Sequence, residues 1–537
     1  MARPNLFTLP YDVRVKIFHD YFRVEGGYVF SSESEKLTTA DGQPIDFSLM
    51  YTCRSIANDT KHLPFTLNNI SFSTFFSPEW RAWAGRHQFL SHFLCILKAD
   101  LIYHLQGTEM SPELESALQE KFPHLMPDFK NRLERVYSSR GFFKKDPSGL
   151  SGYAFQYWEE SRDVSDIIGD WGDERVRLWG KNASMAREAI AFSLRFLGER
   201  QGLKLASLLN KAFPGWTASH DPQKLLDLSL DPWDIPSKAI LTRVGRLLRD
   251  GAMWRRVKDW NHGLRAKYRF SAAAVAIRFF RQLSVEQRQQ LRGVTLIEDA
   301  YAVCSPSTHA MGLIEFCKYN PRLKIQRHIK LCRRIPAAFH PCWDHLGYYC
   351  VGGPHRTEYN DGADIIPEYA VKGISIWLEE AILLPDAGMP DNSYTLCLDG
   401  EPDKTFFSDI FQNILLRHDA SIQASRELFR MRPHQFNGAP PYRRWQGGHL
   451  SKALKYLIDH HSISESIDSV PLICSNFHPG QPLDIESFIQ ERLEWESQDW
   501  ERDGSRLSFH LRQCPPTFGR WIDNLMAYYE RQNQLEP

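Results

Sequence analysis

The chain has 537 residues, and its 65 Lys and Arg residues balance its 65 Asp and Glu residues, so the formal net charge at pH 7 is zero. This balance excludes a general electrostatic attraction to nucleic acid or to an anionic membrane surface. The 42% hydrophobic, 13% aromatic and 24% charged residues are typical of a globular protein and argue against extensive disorder. The length allows roughly three or four domains.

An amphipathic helix that begins at Pro10 is the first predicted element. Proline suits the first turn of a helix because its missing N–H leaves no donor unpaired there, and Asp12 places a carboxylate at the positive end of the helix dipole. Apolar residues recur every three to four positions and form a stripe of Leu6, Leu9, Val13, Ile17 and Tyr21. A small module cannot bury all of its apolar surface alone, so the stripe faces either the rest of the chain or a partner.

A second helix and a short strand follow. The helix is predicted from about Phe47 to Leu63, and Pro64 is expected to end it. Ile70 and Phe72 alternate with serines, which predicts a half-buried strand. The intervening residues 24–46 are rich in Gly, Ser, Thr and acidic residues, which predicts an inserted, exposed loop.

These N-terminal elements carry a resemblance to a known family. The residues concerned are Leu6, Leu9, Pro10, Asp12, Arg14, Ile17 and Phe18, then Cys53, Arg54 and Ile56, then Leu63, Pro64, Phe65, Asn69, Ser71 and Phe72. Their spacing resembles that of the degenerate F-box-like proteins of filamentous fungi, and a second similar segment lies at 290–323. In F-box proteins the Leu-Pro helix binds the small linker subunit of Skp–cullin–F-box ubiquitin ligases, and the rest of the chain selects the target.

The resemblance implies an F-box-like module at 1–75 in front of a large domain at 76–537. It also implies that the module binds the ligase linker subunit while an unknown target protein binds elsewhere. The implied partner-binding residues are Leu6, Leu9, Pro10, Val13 and Ile17. The residues alone leave another interpretation open, in which this helix pair is the internal start of a larger helical fold.

The large domain is predicted to be mostly helical, and a turn-rich break at 144–152 is a candidate boundary. Predicted helices are Arg86–Leu105, one capped by Ser111, Trp171–Gly202, Gln223–Leu230, Ser237–Asp250, Ser271–Gln282, Met311–Lys318, Phe406–Leu416, Ser421–Met431, Ser451–His460, Ser487–Arg502 and Arg520–Gln532. Predicted strands are Gly293–Ile297 and Tyr394–Leu398. The predicted fold class is therefore mainly α with a few short β-strands.

A Cys/His-rich segment at 332–355 favours a different function. It contains Cys332, His340, Cys342, His345, Cys350 and His355, which are residue types that bind zinc. Structural zinc sites usually contain paired ligands such as C-x2-C, and none occurs here, so buried core residues are the competing interpretation. If the segment does bind a metal, the protein is an intracellular enzyme or a metal-binding protein.

A basic stretch at 243–269 favours a third function. Cationic residues interleave there with Trp254, Trp260 and Tyr268, a combination that binds single-stranded nucleic acid in other proteins. A second basic run contains Lys324, Arg327 and Lys330. The competing interpretation of both runs is a solvated helix face.

Motifs for catalysis or cofactor binding are otherwise absent from the sequence. There is no phosphate-binding loop, dinucleotide fingerprint, nucleophile elbow or H-E-x-x-H. His309 begins an apolar helix, which favours a structural histidine over a catalytic base. The ten cysteines form no framework and no apolar run is long enough to span a membrane, which favours a cytoplasmic or nuclear protein. We therefore predict a non-enzymatic adaptor with no catalytic residue, cofactor or metal.

Overall fold

The computed structural model places a seven-stranded β-sheet at the centre of the protein, so the fold is α/β. The prediction of a mainly α protein with a few short strands is wrong, because short strands lie between long helical segments and pair across great distances in the chain. The described residues are 6–31, 34–106, 110–123, 125–126, 129–130, 183–249, 264–334, 364–365, 367–436, 448–461, 471–496, 499–500, 512–513, 515–518, 527 and 529–531.

The sheet has the strand order β2-β1-β3-β4-β5-β6-β7. Its strands are β1 Tyr28–Ser31, β2 Lys36–Thr39, β3 Asn69–Ser73, β4 Gly293–Glu298, β5 Lys324–Lys330, β6 Tyr394–Asp399 and β7 Ile473–Ser475. β1 and β2 are antiparallel, and every other neighbouring pair is parallel. Two small antiparallel pairs lie outside this sheet, Asp364–Ile365 with Arg512–Gln513 and Leu264–Ala266 with Tyr529–Arg531.

Helices make up most of the remaining described structure. They are α1 Tyr11–Phe22, α2 Arg54–Thr60, α3 Leu63–Leu67, α4 Pro78–Gln106, α5 Pro112–Lys121, α6 Ala183–Arg200, α7 Gly202–Ala212, α8 Gln223–Leu226, α9 Lys238–Leu247, α10 Ala272–Gln282, α11 Val285–Gln290, α12 Ile314–Tyr319, α13 Leu331–Arg334, α14 Pro367–Ile382, α15 Lys404–Ile410, α16 Arg417–Met431, α17 Gly448–His461 and α18 Ile485–Glu491. A search of the described helices finds none with the length and apolar character needed to cross a bilayer.

From β3 to β7 each strand in the chain adds to the same edge of the sheet. Right-handed connections between successive parallel strands place their helices on one face. The contacts agree, since α10 packs on the 3-10 helix Pro306–Leu313, which packs on α14, and α14 packs on α17. The helices between these strands therefore lie side by side in the same order as the strands.

Two rows of side chains form the buried face of the sheet. The paired residues are Ile70, Val294, Ile325 and Tyr394 in one row, and Phe72, Leu296, Arg327, Leu396 and Ile473 in the next. All are at most 4% exposed. The Ser111 side chain caps α5 as predicted, because it accepts from the Leu114 N–H, and the Ser271 side chain caps α10 by accepting from the Ala274 N–H.

The N-terminal residues join this sheet through β1, β2 and β3. The insert predicted as an exposed loop contains the β1–β2 hairpin, in which Tyr28 is 1% exposed. The helix predicted from Phe47 to Leu63 is instead a 3-10 turn followed by α2 and α3, and Pro64 lies in the first turn of α3. The hairpin extends the sheet because β1 pairs with β3 in parallel register.

Three predictions near the limits of the described ranges have different outcomes. Within the described residues, the helix predicted at Ser487–Arg502 overlaps α18 and the helical residues 499–500, and 492–496 between them are not helical. The last predicted helix, Arg520–Gln532, overlaps a strand at Tyr529–Arg531. The candidate boundary at 144–152 lies outside the described residues.

A buried ion pair links strands and helices at the centre of the molecule. Arg327 donates from Nε and Nη2 to Glu298 Oε1 over 2.9 and 2.6 Å, and the two side chains are 1% and 0% exposed. Arg327 Nη2 also donates to the Pro306 carbonyl at 2.7 Å, and its guanidinium lies 4.7 Å from the Trp377 ring centre. The Glu298 carboxylate accepts from the N–H groups that open α10, at Ala272 and Ala273. One interaction thus connects β4, β5, α10, α14 and the Pro306–Leu313 turn.

Breaking this pair from one side should destabilise the whole fold. Glu298→Gln leaves a buried guanidinium without its counter-charge, and we expect a loss of about 3–5 kcal/mol in the free energy of unfolding. Urea denaturation measures the loss. The double variant Glu298→Gln/Arg327→Met should lose less than the sum of the two single variants, since the unpaired charge is gone.

A surface ion pair provides the control. Arg430 and Glu427 are 77% and 38% exposed, and Glu427→Gln should cost at most about 1 kcal/mol. Equal losses for Glu427→Gln and Glu298→Gln would contradict a central role for the buried pair.

Candidate partner-binding surface

Helix α1 has two apolar faces, and only one of them is packed against the protein. Phe18 and Phe22 are 4% and 1% exposed and form a small core with Ile56 and Leu63. Val13 and Ile17 are 44% and 38% exposed. At 3.6 residues per turn the centre of these two positions lies about 140° around the helix from the centre of Phe18 and Phe22. The second apolar face is therefore accessible on the folded chain.

The structure separates the five predicted partner-binding residues into two groups. Pro10, Val13 and Ile17 are exposed, whereas Leu6 and Leu9 are half-buried. Leu6 packs against the small core of the module. Apolar spacing alone could not distinguish these groups, because it identifies apolar positions without showing which of them the neighbouring helices cover.

Four aromatic residues extend this surface, of which Tyr21 belongs to the predicted stripe and Phe7, Tyr11 and Tyr51 do not. Phe7, Tyr11, Tyr21 and Tyr51 are between 38% and 84% exposed. Of the eleven large hydrophobic side chains that are exposed among the described residues, six lie within the first 51 positions. We define the N-terminal apolar surface by these six: Phe7, Tyr11, Val13, Ile17, Tyr21 and Tyr51.

Polar contacts hold the aromatic part of this surface in place. Tyr21 donates its hydroxyl to Asp46 Oδ2 at 2.6 Å and accepts from the Leu49 N–H at 3.4 Å, next to the turn that ends at Tyr51. Burial and then the Asp46 hydrogen bond raise the pKa of Tyr21, and the same bond lowers the pKa of Asp46 to about 2. The Arg14 guanidinium lies 5.9 and 5.8 Å from two further ring centres, those of Phe7 and Tyr11.

Asn68 fixes the C-terminal end of α1. Its Nδ2 donates to the carbonyls of Phe22 at 2.7 Å and Pro64 at 3.0 Å, and its Oδ1 accepts from the Val24 N–H at 2.8 Å. The residue is 3% exposed. Since Asn68 directly precedes β3, these bonds set the position of α1 relative to the sheet.

Removing these bonds should loosen α1. Asn68→Ala leaves buried backbone groups unpaired, each at a cost of about 1–3 kcal/mol, so amide hydrogen exchange in 11–22 should accelerate. Asn58→Ala, at an exposed position of α2, should leave exchange in α1 unchanged. If both variants exchange alike, Asn68 does not anchor the helix.

The remaining side chains of the strands form a second accessible surface. We define the polar sheet face by the residues that alternate with the buried rows: Asn69, Ser71, Ser73, Thr295, Ile297, Lys324, Gln326, His328, Lys330, Cys397, Asp399 and Cys474. Lys324, Gln326 and Lys330 are exposed, and Asn69 Nδ2 donates to Thr295 Oγ1 at 2.8 Å. Accessible polar groups of this kind are common in protein interfaces that form and dissociate.

The structure describes only part of each of the two segments that favoured a metal-binding or a nucleic-acid-binding function, 332–355 and 243–269. Of the Cys/His segment 332–355 only 332–334 are described, and the other proposed ligands lie outside the described residues. Within the described part of the chain, no group of three or more His, Cys, Asp or Glu side chains is arranged to hold a metal ion.

Two of the described cations of the basic stretch 243–269 donate hydrogen bonds to carbonyl groups of the protein itself. Arg249 donates to the Pro214 carbonyl at 2.9 Å, and Arg269 donates to the Ala527 carbonyl at 3.0 Å. In the second basic run Lys324 and Lys330 are exposed, but Arg327 points to the opposite face and is buried. Residues 250–263, which contain Trp254 and Trp260, lie outside the described residues.

A serine–histidine pair in the interior resembles a nucleophile and its base but is fully buried. Ser271 Oγ lies 2.6 Å from His309 Nδ1, and His309 Nε2 lies 2.9 Å from the Cys304 carbonyl oxygen. Ser271 and His309 are 0% and 1% exposed, and Ser271 also caps α10. Burial, and then the charge of Arg327, hold the pKa of His309 well below its usual range. The pair therefore joins the start of α10 to the Pro306–Leu313 helix in the interior, and the structural role of His309 stays a prediction.

Buried neutral histidines should make stability depend on pH. Burial, and then Arg187, lower the pKa of His87 and of His92 to about 3. The unfolded chain binds these protons near pH 6.5 and the folded chain only near pH 3, so acid favours unfolding within that window. Each histidine should remove about 1.4 kcal/mol of stability per pH unit as the pH falls from 6.5 toward 3.

Urea denaturation at a series of pH values tests this dependence. His92→Asn should reduce the slope of unfolding free energy against pH, whereas replacing the exposed His19 by Gln should not change it. A slope that His92→Asn leaves unaltered would show that His92 is already protonated in the folded protein.

Comparison with protein-family models, with curated proteins and with solved structures gives no significant match. The F-box-like resemblance of the N-terminal residues therefore stays a prediction, and so do the linker subunit and target as partners. Any function proposed for this chain must therefore be argued from its resemblance and from its accessible surfaces.

Proposed function

We propose that the protein is a non-enzymatic adaptor of the F-box-like type. In this proposal α1 binds the linker subunit of a Skp–cullin–F-box ubiquitin ligase, and the α/β domain binds the target. The supporting observation is that Val13 and Ile17 stay exposed while Phe18 and Phe22 fix the same helix to the protein. Of the residues that the resemblance assigns to the linker subunit, Pro10, Val13 and Ile17 are thus accessible without unfolding, whereas Leu6 and Leu9 are half-buried.

The composition of the N-terminal apolar surface supports binding to another protein. Fully burying an exposed aliphatic side chain contributes about 1.5–3 kcal/mol, so the partly exposed Val13 and Ile17 would each add a fraction of that. Tyr11 and Tyr51 are 66% and 84% exposed, and tyrosines are frequent among the residues that dominate binding energy. Together these side chains offer an aromatic and aliphatic contact area on a fixed helix.

The polar sheet face is the surface that we assign to the target. It lies on strands that the buried rows and the Glu298–Arg327 pair hold rigidly, so its donors and acceptors have fixed positions. The exposed Lys324, Gln326 and Lys330 lie on one strand and would favour a target that carries acceptor or acidic groups.

Charge substitutions on α1 test the linker contact. Ile17→Asp places a carboxylate in the apolar face, and we expect the affinity for the purified linker subunit to fall at least tenfold, or about 1.4 kcal/mol. Titration calorimetry measures the affinity, and thermal melting shows whether the variant is folded. Lys16→Asp is the matched control, because Lys16 is exposed on the polar side of the same helix.

A core substitution identifies loss of fold. Phe18→Ala removes a 4% exposed ring and should destabilise the module by about 3–5 kcal/mol, which would weaken binding together with the melting transition. The proposal fails if wild-type protein does not bind the linker subunit, or if Ile17→Asp binds as tightly as Lys16→Asp.

A further inference from the structure

Two cysteines from distant parts of the chain lie side by side on the polar sheet face. Cys397 is in β6 and Cys474 is in β7, and the two are direct partners in the parallel register. Both are reduced and half-buried. Paired residues of neighbouring strands project to the same side of a sheet, so the two thiols share one environment.

The distance between these strands suits a disulfide. Neighbouring strands lie about 4.7–4.9 Å apart, which is inside the Cα–Cα range of about 4.4–6.8 Å for disulfides. The two side chains also interact through a hydrogen bond between the thiols of Cys397 and Cys474. β7 has only three residues and is the last strand of the sheet, with β6 on one side and α17 and α14 packed against its buried face.

The pair differs chemically from three other described thiols, those of Cys304, Cys317 and Cys332. The hydrogen bond from Cys397 lowers the pKa of Cys474, although burial opposes the change. Burial raises the pKa of Cys304 to about 12 and that of Cys317 to about 11, so those thiols stay protonated and unreactive. Cys332 is half-buried and its pKa is also raised by burial.

We propose that Cys397 and Cys474 form a redox-sensitive dithiol that a hydroperoxide converts into a disulfide between β6 and β7. With hydrogen peroxide as oxidant, the Cys474 thiolate attacks one oxygen, the O–O bond breaks, and the leaving hydroxide takes up a proton to become water. The Cys397 sulfur then attacks the Cys474 sulfenic acid, the S–S bond forms, the S–O bond breaks, and a second water leaves. Two thiols lose two electrons in total, and the peroxide gains them.

The disulfide would change the polar sheet face reversibly. It would tie the terminal strand β7 to β6 and remove two thiol groups from a row that also contains His328 and Ile297. A thiol reductant would restore the original surface by exchange. The inference stands on the strand register and does not depend on the adaptor function.

Mass spectrometry of the folded, full-length protein tests the proposal. Hydrogen peroxide is added in small molar excess, free thiols are then blocked with an alkylating reagent, and the protein is digested without reduction. We expect a peptide pair linked through Cys397 and Cys474, lighter than the two reduced peptides by two hydrogen atoms and separated by dithiothreitol. Cys332→Ser should keep this link, and Cys474→Ser should abolish it.

A second probe tests the thiol arrangement without an oxidant. Phenylarsine oxide, a trivalent arsenical, bridges two neighbouring thiols and should bind wild type at least tenfold more tightly than either Cys397→Ser or Cys474→Ser. Serine is nearly isosteric with cysteine, and thermal melting verifies that each variant is folded. Separate oxidation of the two thiols with no linked peptide would overturn the proposal, and so would equal arsenical binding by wild type and both variants.

Discussion

The ion pair between Glu298 and Arg327 connects the two layers of the protein. Moving a charge from water into the protein interior costs free energy, and hydrogen bonds to both partners offset that cost here. Arg327 donates to the Glu298 carboxylate and to the Pro306 carbonyl. The Glu298 carboxylate also accepts from the first N–H groups of α10. Burial alone would lower the pKa of Arg327, but Glu298 and Tyr394 outweigh it and the pKa is raised. Such a network favours one arrangement of strands and helices, because alternatives would leave a charge unpaired.

This fixed interior explains how an N-terminal helix can keep an apolar face uncovered. β3 pairs with β4, the strand that ends in Glu298, and the residue before β3 is Asn68, which anchors the end of α1. The helix is thus held by Phe18, Phe22 and a few hydrogen bonds rather than by its full apolar circumference. The apolar side chains of α1 that stay exposed, Val13 and Ile17, are those that the proposed adaptor would use to bind its partner.

The sequence predicted local features well and long-range pairing poorly. The cap at Ser111, the start of a helix at Ser271 and the strands near Gly293 and Tyr394 depend on neighbouring residues, and they are confirmed. The sequence did not predict β5, because the charged Arg327 occupies a buried position and interrupts the alternation of apolar and polar residues. The basic residues of this segment were instead interpreted as a solvated helix face. The pairing of Cys397 with Cys474 follows from the register of β6 and β7, and a local sequence pattern does not determine that register.

Amide hydrogen exchange with and without the purified linker subunit would test the central claim most directly. The account predicts slower exchange in α1 and around Tyr51 when the linker subunit is bound, with the polar sheet face unchanged. Protection confined to that face, or no protection anywhere, would show that the exposed side of α1 is not the binding surface.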